Sequence, residues 1–226
     1  RQETMPGGPI LFVLIAAVVV AAIIYGFYAA AQRRKALAAW AAGRGLRFDQ
    51  SKDRNMDDRF GEFDCPRHGH SRYSYNHITG QWNGREFLAF DYHYETGSGK
   101  NHHTYVFSAV VLESKIPLQP LFIRPEGFFD KITEFFGYDD IDFESAEFSR
   151  TFYVKSPDKK WAYDVIHART MEYLLAAPRF TIKFDRRHVI AYRSKKFTPA
   201  DFAAAAAVIE GILDRLPEYV VQQQGQ

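Results

Sequence analysis

Hydrophobic and polar positions alternate along this chain in three regimes, and each predicts a different kind of element. The first is a run of 23 residues without charge, Pro9 through Ala31, closed at once by Gln32-Arg33-Arg34-Lys35. At about 1.5 Å of rise per residue it can cross a hydrocarbon core roughly 30 Å thick with some tilt, which predicts one transmembrane helix over 9–31. Lys35-Ala-Leu-Ala-Ala-Trp-Ala-Ala42 favours helix until Gly43 and Gly45 stop it. A juxtamembrane helix over 32–45 is therefore expected to continue the span and join it stiffly to the rest.

The second regime, from Leu46 to Ile123, has period two. Asn83-Gly84 stands between Tyr75–Thr79 and Glu86–Tyr94, and both residues can take the positive φ of a type I′ turn, which predicts a hairpin. Leu88, Phe90, Tyr92 and Tyr94 alternate with Phe87, Ala89, Asp91 and His93, so one face is wholly apolar or aromatic and the other mixed. Thr96–Asn101 reads as a flexible turn and Thr104–Leu112 as the returning strand. Pro117 and Pro120 bracket a shorter extended piece ending near Arg124, expected at a sheet edge because proline cannot donate to a ladder.

The third regime is mostly helical. Phe128–Phe136 fits a short amphipathic helix, and Ile141–Ser145 and Thr151–Lys155 fit short strands. Ser156-Pro157 is expected to cap one helix running to Ala176, with Trp161, Val165, Ala168 and Leu175 on one face. A second hairpin is expected from Phe180–Phe184 and Val189–Arg193 around Asp185–His188. Thr198-Pro199 opens a last helix with Phe202, Ile209, Ile212, Leu213 and Leu216 inward, ended by Pro217. The expected organisation is a short tail over 1–8, the span, the juxtamembrane helix, one domain over 46–217 and a polar tail over 218–226. Its fold class is α+β: an N-terminal transmembrane helix, then an antiparallel sheet packed with two or three helices on one face.

Charge sharpens the picture at the membrane. A signal peptide carries its cations before a 7–15-residue apolar core, whereas here they follow a longer one, so an anchor is the better reading. The residues before Met5 read as an upstream extension or a processing remnant. Arg33, Arg34, Lys35, Arg44 and Arg47 beyond the span predict N-out, C-in insertion in the inner (cytoplasmic) membrane. Tyr25 and Tyr28 sit where interfacial aromatics belong, beside the Arg33-Arg34-Lys35 collar. Ala22, Gly26 and Ala30 recur every four residues, a small-residue face that another helix can approach closely.

With 29 cations against 27 anions, net charge +2, nothing favours nucleic acid as a partner. The single cysteine cannot form an internal disulfide. Six of the eight histidines lie between His68 and His103, and Cys65, His68 and His70 are weak candidates for a metal site. They lack a paired Cys-x-x-Cys or a helical histidine pair, so neither metal nor cofactor is expected. Asp139, Asp140, Asp142, Glu144 and Glu147 do not match a calcium-loop pattern and read as a solvated edge with helix-capping acids. Thr96–Lys100 lacks phosphate-loop spacing, and no nucleophile elbow or dinucleotide fingerprint occurs, so no catalytic residue is assigned. Arg186, Arg187, Arg193, Lys195 and Lys196 form a basic patch suited equally to anionic headgroups and to plain solvation. The 20 Phe, 13 Tyr and 3 Trp exceed ordinary core needs, and Tyr73, Tyr75, Trp82, Phe128 and Phe129 are the candidate partner contacts.

Trp40–Leu46, the Gly80–Tyr94 hairpin with Phe90-Asp91-Tyr92-His-Tyr94, Arg124–Gly127, Asp140–Phe148 and Arg169–Leu174 together resemble a group of bacterial single-pass membrane proteins of unknown function. The resemblance implies a topology and no catalytic residues. Two readings of function follow. One is a non-catalytic accessory or scaffold subunit, partnered by lipid and other membrane subunits in a larger complex, for example a respiratory or photosynthetic assembly. The other is a membrane-anchored domain that binds or senses a small ligand or lipid headgroup, with metal-assisted hydrolysis at the Cys65 loop a remote third.

Overall fold

The computed structural model of the chain describes residues 7–56, 69–127 and 140–224. The first element, α1 (Gly7–Ala42), is one unbroken helix of 36 residues. At about 1.5 Å per residue it is about 54 Å long, enough to cross a bilayer and emerge well beyond it. Its residues from Leu11 to Tyr28 are exposed on every side, while Leu37 and Ala41 are fully buried in the domain. Among the described residues it is the one helix long and apolar enough to span a membrane. Leu46 N–H donates to the Ala41 carbonyl (2.9 Å), and Gly45, at φ 67°, makes the turn into β1 (Arg47–Asp49).

The strands β2 (His70–Trp82) and β3 (Arg85–Thr96) form the expected hairpin, with Asn83 and Gly84 at φ 49° and 77°. A turn through Gly99–Asn101 leads into β4 (His103–Pro125), the spine of the sheet. After α2 (Ala146–Thr151) come β5 (Phe152–Lys155), α3 (Lys159–Val165), α4 (Ala168–Ala176), β6 (Thr181–Arg193), α5 (Pro199–Leu213) and α6 (Glu218–Gln224). The sheet is antiparallel throughout, in the order β1-β2-β3-β4-β5, with β6 along the other side of β4.

Five expectations are corrected here. The stretch around Pro117 and Pro120 is no separate edge strand. It belongs to β4 and lies where the β4–β6 register shifts, between Glu113, Leu118 and Leu121, so the prolines cost no regular ladder bond. Nor is there a second hairpin, because β6 is continuous and bent. Straight, its 13 residues would extend about 43 Å. Instead Arg193 near one end stacks at 3.9 Å on the ring of Phe180, just before the other, and Arg186 at φ 48° marks the bend. The expected helix to Ala176 is two: Asp158, not Ser156, caps α3 by accepting from Trp161 N–H, and the helix breaks at Ile166 before α4. Finally, the polar tail is helical through Gln224 and buries Val220. Ile141–Ser145 forms no strand, although Ile141 N–H does bond the Val154 carbonyl of β5. The amphipathic helix expected over 128–136 lies outside the described residues.

Bending gives the sheet an inner face that wraps α5 and the end of α1. The main core joins Leu37 and Ala41 to Phe87, Ala89, Val110, Leu112, Phe197 and Phe202. The opposite face of β3, β4 and β6 is buried as well, in an aromatic cluster of Phe90, Tyr92, Tyr94, Phe107 and Tyr192 with Met56. The wholly apolar face of β3 thus builds the second cluster, and its mixed face, with Asp91, turns toward the helices.

Candidate functional site: the clamp between anchor and sheet

Asp91 is fully buried in the middle of β3, and a buried carboxylate persists only when it is paired and hydrogen-bonded. Its partner is Arg33 of α1, two residues past the apolar run. Arg33 Nη1 donates to Asp91 Oδ2 (2.5 Å) and Nη2 to Oδ1 (2.9 Å), the bidentate geometry a guanidinium makes with a carboxylate. Its Nε and Nη2 also donate to the Phe197 carbonyl, at 2.8 and 2.6 Å.

The two neighbouring strands complete the carboxylate's shell. Ser108 on β4 faces Asp91 in register and donates its hydroxyl to Oδ1 (2.5 Å). Asn76 on β2 donates Nδ2–H to Oδ2 (2.8 Å); it reaches inward because β2 bulges between Tyr75 and Ile78, with Asn76 at φ 54°. Phe197 N–H donates to Ser108 Oγ (2.9 Å), which closes a ring from Phe197 through Ser108 and Asp91 to Arg33 and back to Phe197. Beside the ring, burial first and then the Asp91 charge push the Tyr75 phenol well above its ordinary value and keep it neutral. Deeper along α1, Trp40 packs between Trp82, Phe87 and Phe202, with ring centroids 6.3, 6.5 and 6.3 Å away. The helix that leaves the apolar run is thus fixed at two levels, one polar and one aromatic.

The other candidates fall as follows. Arg33 is taken by the clamp instead of facing headgroups, while Arg34 and Lys35 stay exposed, as do Tyr25 and Tyr28. Ala22 and Gly26 are exposed, but Ala30 is partly covered by the chain itself. Trp82 is no free contact: it stacks on Phe87 at 5.5 Å and donates Nε1–H to Glu210 (3.3 Å). Tyr73 is half-buried, stacked on His93 at 4.5 Å beneath Lys52, with Tyr75 5.7 Å away. Phe128, Phe129, Cys65 and His68 lie outside the described residues. His70 is exposed, its Nε2 3.0 Å from the Gly97 carbonyl, and no group of three His, Cys, Asp or Glu set to hold a metal occurs among the described residues.

The acidic stretch is used locally: Asp140 accepts from Val154 N–H (3.0 Å), and burial raises its carboxyl above the usual range against that bond. The basic patch is split. Arg187 pairs with Glu113 (3.2 Å) at the bend, whereas Arg193 and Lys195 lie 3.6 and 3.4 Å from Asp201, at the start of α5. One groove, about 530 Å³, is open and polar, lined by Arg47, Asp49, Lys52, Asp53, Arg54 and His77 among others. Sequence reasoning missed the clamp. Its signal was an acid, Asp91, set between Phe90 and Tyr92 in the aromatic middle of β3.

These features define a class: a chain with one apolar helix rooted by an ion pair in a bent antiparallel α+β domain. Among solved structures, the crystal structure of the mycobacterial trehalose monomycolate transport factor A, TtfA, is similar, with a TM-score of 0.61 over 80% of this chain and 92% of that one. At 12% identity the likeness is one of fold. No family profile and no curated protein matches the chain.

Proposed function

We propose that the protein is a non-catalytic accessory subunit of a larger membrane assembly. It is held by one span, N-out, in the inner membrane, with its domain on the cytoplasmic face where the cations after the span would retain it. The observation that carries the reading is the clamp. A four-bond attachment of Arg33 to Asp91 and Phe197 makes span and domain one stiff body, which suits a part that positions a surface at a set height. A flexible linker would serve a mere tether. Ala22 and Gly26, exposed on one helical face, offer neighbouring helices a close approach. The fold likeness to a transport factor turns the choice of host toward a membrane transport assembly and away from a respiratory or photosynthetic one. Gentle-detergent purification followed by mass spectrometry tests the reading. Stoichiometric membrane subunits that disappear with Ala22→Leu/Gly26→Leu support it, and a lone monomer under native crosslinking sinks it.

A second reading, a domain that takes a small ligand or lipid headgroup, draws on the polar groove between β1 and β2 and on the lipid named in that neighbour's title. Thermal stabilisation by a sugar-bearing lipid, lost in Arg47→Ala/Lys52→Ala, would favour it over the first.

A further inference from the structure

We propose that the end of the domain nearest the span is a docking rim for anionic lipid: the β3–β4 turn around Lys100, with Arg179 and Lys196, rests on the headgroups of the bilayer that holds the protein's own span. The proposal rests on the span lying in a membrane and not on which assembly the protein joins.

Two contacts fix the direction. Arg33 bonds Asp91, and Trp40 packs on Phe87. From Trp40 to Arg33 α1 travels about 10 Å toward the span. From Phe87 to Asp91 β3 advances about 13 Å, so helix and strand run side by side in opposite senses. Beyond Asp91, β3 continues to Thr96, about 16 Å further toward the membrane, before the chain turns back at His103. Gly97-Ser98-Gly99-Lys100-Asn101 is too polar to enter hydrocarbon, so what this turn can meet at the membrane is the headgroup layer.

Two further loops reach the clamp level. Lys196 precedes Phe197, whose carbonyl Arg33 bonds. Arg179 is held beside it, because the Phe180 ring meets Phe197 at 5.6 Å and Arg193 Nε donates to the Arg179 carbonyl. Lys100, Arg179, Lys196, Arg34 and Lys35 are all exposed.

Two acids at this end, Glu95 and Asp201, are occupied. Glu95 lies 3.8, 3.7 and 3.3 Å from ring nitrogens of His70, His93 and His102. Asp201 is flanked by Arg193 and Lys195. Lys100, Arg179 and Lys196, set at the span end with Arg34 and Lys35, present positive charge suited to a negative surface.

The test uses the full chain with Cys65→Ser in nanodiscs, labelled with a fluorophore at Ser98→Cys on the turn or at Gln81→Cys on the far end. The discs contain phosphatidylcholine alone or with phosphatidylglycerol, plus a headgroup-attached quencher lipid. The expected result is several-fold stronger quenching at position 98 than at 81 in anionic discs. It falls in 1 M salt, where the screening length shrinks to about 3 Å. It also falls in Lys100→Glu/Arg179→Glu/Lys196→Glu, whose thermal unfolding stays that of the parent. Equal quenching at the two positions, or equal quenching at position 98 in neutral and anionic discs, overturns the proposal.

Discussion

The two halves of α1 are one helix in two solvents. Leu11–Tyr28 shows Leu, Phe, Val and Ile to the outside on every side, with no protein packed on them, whereas Arg33–Ala42 is built into the domain through Leu37, Trp40 and Ala41. An exposed apolar cylinder of that length is stable only in lipid. The difference teaches where the membrane must stop. It also teaches that the first charged residue past that boundary is spent on the fold and not on the headgroups.

The comparison can be broken from its polar side first. Asp91→Ala leaves Arg33 partly buried without its anion, with an expected loss of about 3–5 kcal/mol in denaturant unfolding of the full chain. A stability within about 1 kcal/mol of the parent would show the clamp to be incidental. Leu37→Ala removes a fully buried side chain from the second half, with a loss of about 3 kcal/mol. Thr198→Ala removes one side of the α5 capping box, an expected loss of about 1 kcal/mol, and sharpens the comparison at the loop that receives Arg33.

The same cap carries a pH signature. Burial opposes ionisation of Asp201, but the Thr198 N–H and hydroxyl and then Lys195 outweigh it and hold the carboxyl below 3.8. A depressed acid contributes stability above its unfolded pKa and loses it as pH falls through the folded one. Acid unfolding below about pH 4 should therefore shift less between parent and Asp201→Asn than their difference at neutral pH. Smallest of all, Ala22→Leu on the exposed half should move domain stability by less than about 0.5 kcal/mol while changing only helix association.

Much of this was legible in sequence because it was local. The extent of α1 followed from an uninterrupted apolar run and two glycines, the first hairpin from Asn83-Gly84, and α5 from Thr198-Pro199. What escaped depended on distant pairing. Pro117 and Pro120 read as breakers until the β4–β6 register showed them at a shift. Asp185–His188 read as a turn because a bend and a hairpin share turn-forming residues, and the pairing of both halves of β6 with β4 distinguishes them here. The break at Ile166 leaves the helical period almost undisturbed. Arg33 and Asp91 are 58 residues apart, and each has an ordinary local explanation, as a collar cation and as a mixed-face polar residue.

The central claim is that span and domain move as one body because Arg33 is held by Asp91. Pulsed electron-spin distance measurement tests it directly, with labels at Tyr28→Cys and Gln81→Cys on the Cys65→Ser chain in nanodiscs. The account predicts a narrow distribution in the parent and a broad one in Arg33→Ala. An equally narrow distribution in Arg33→Ala would contradict it.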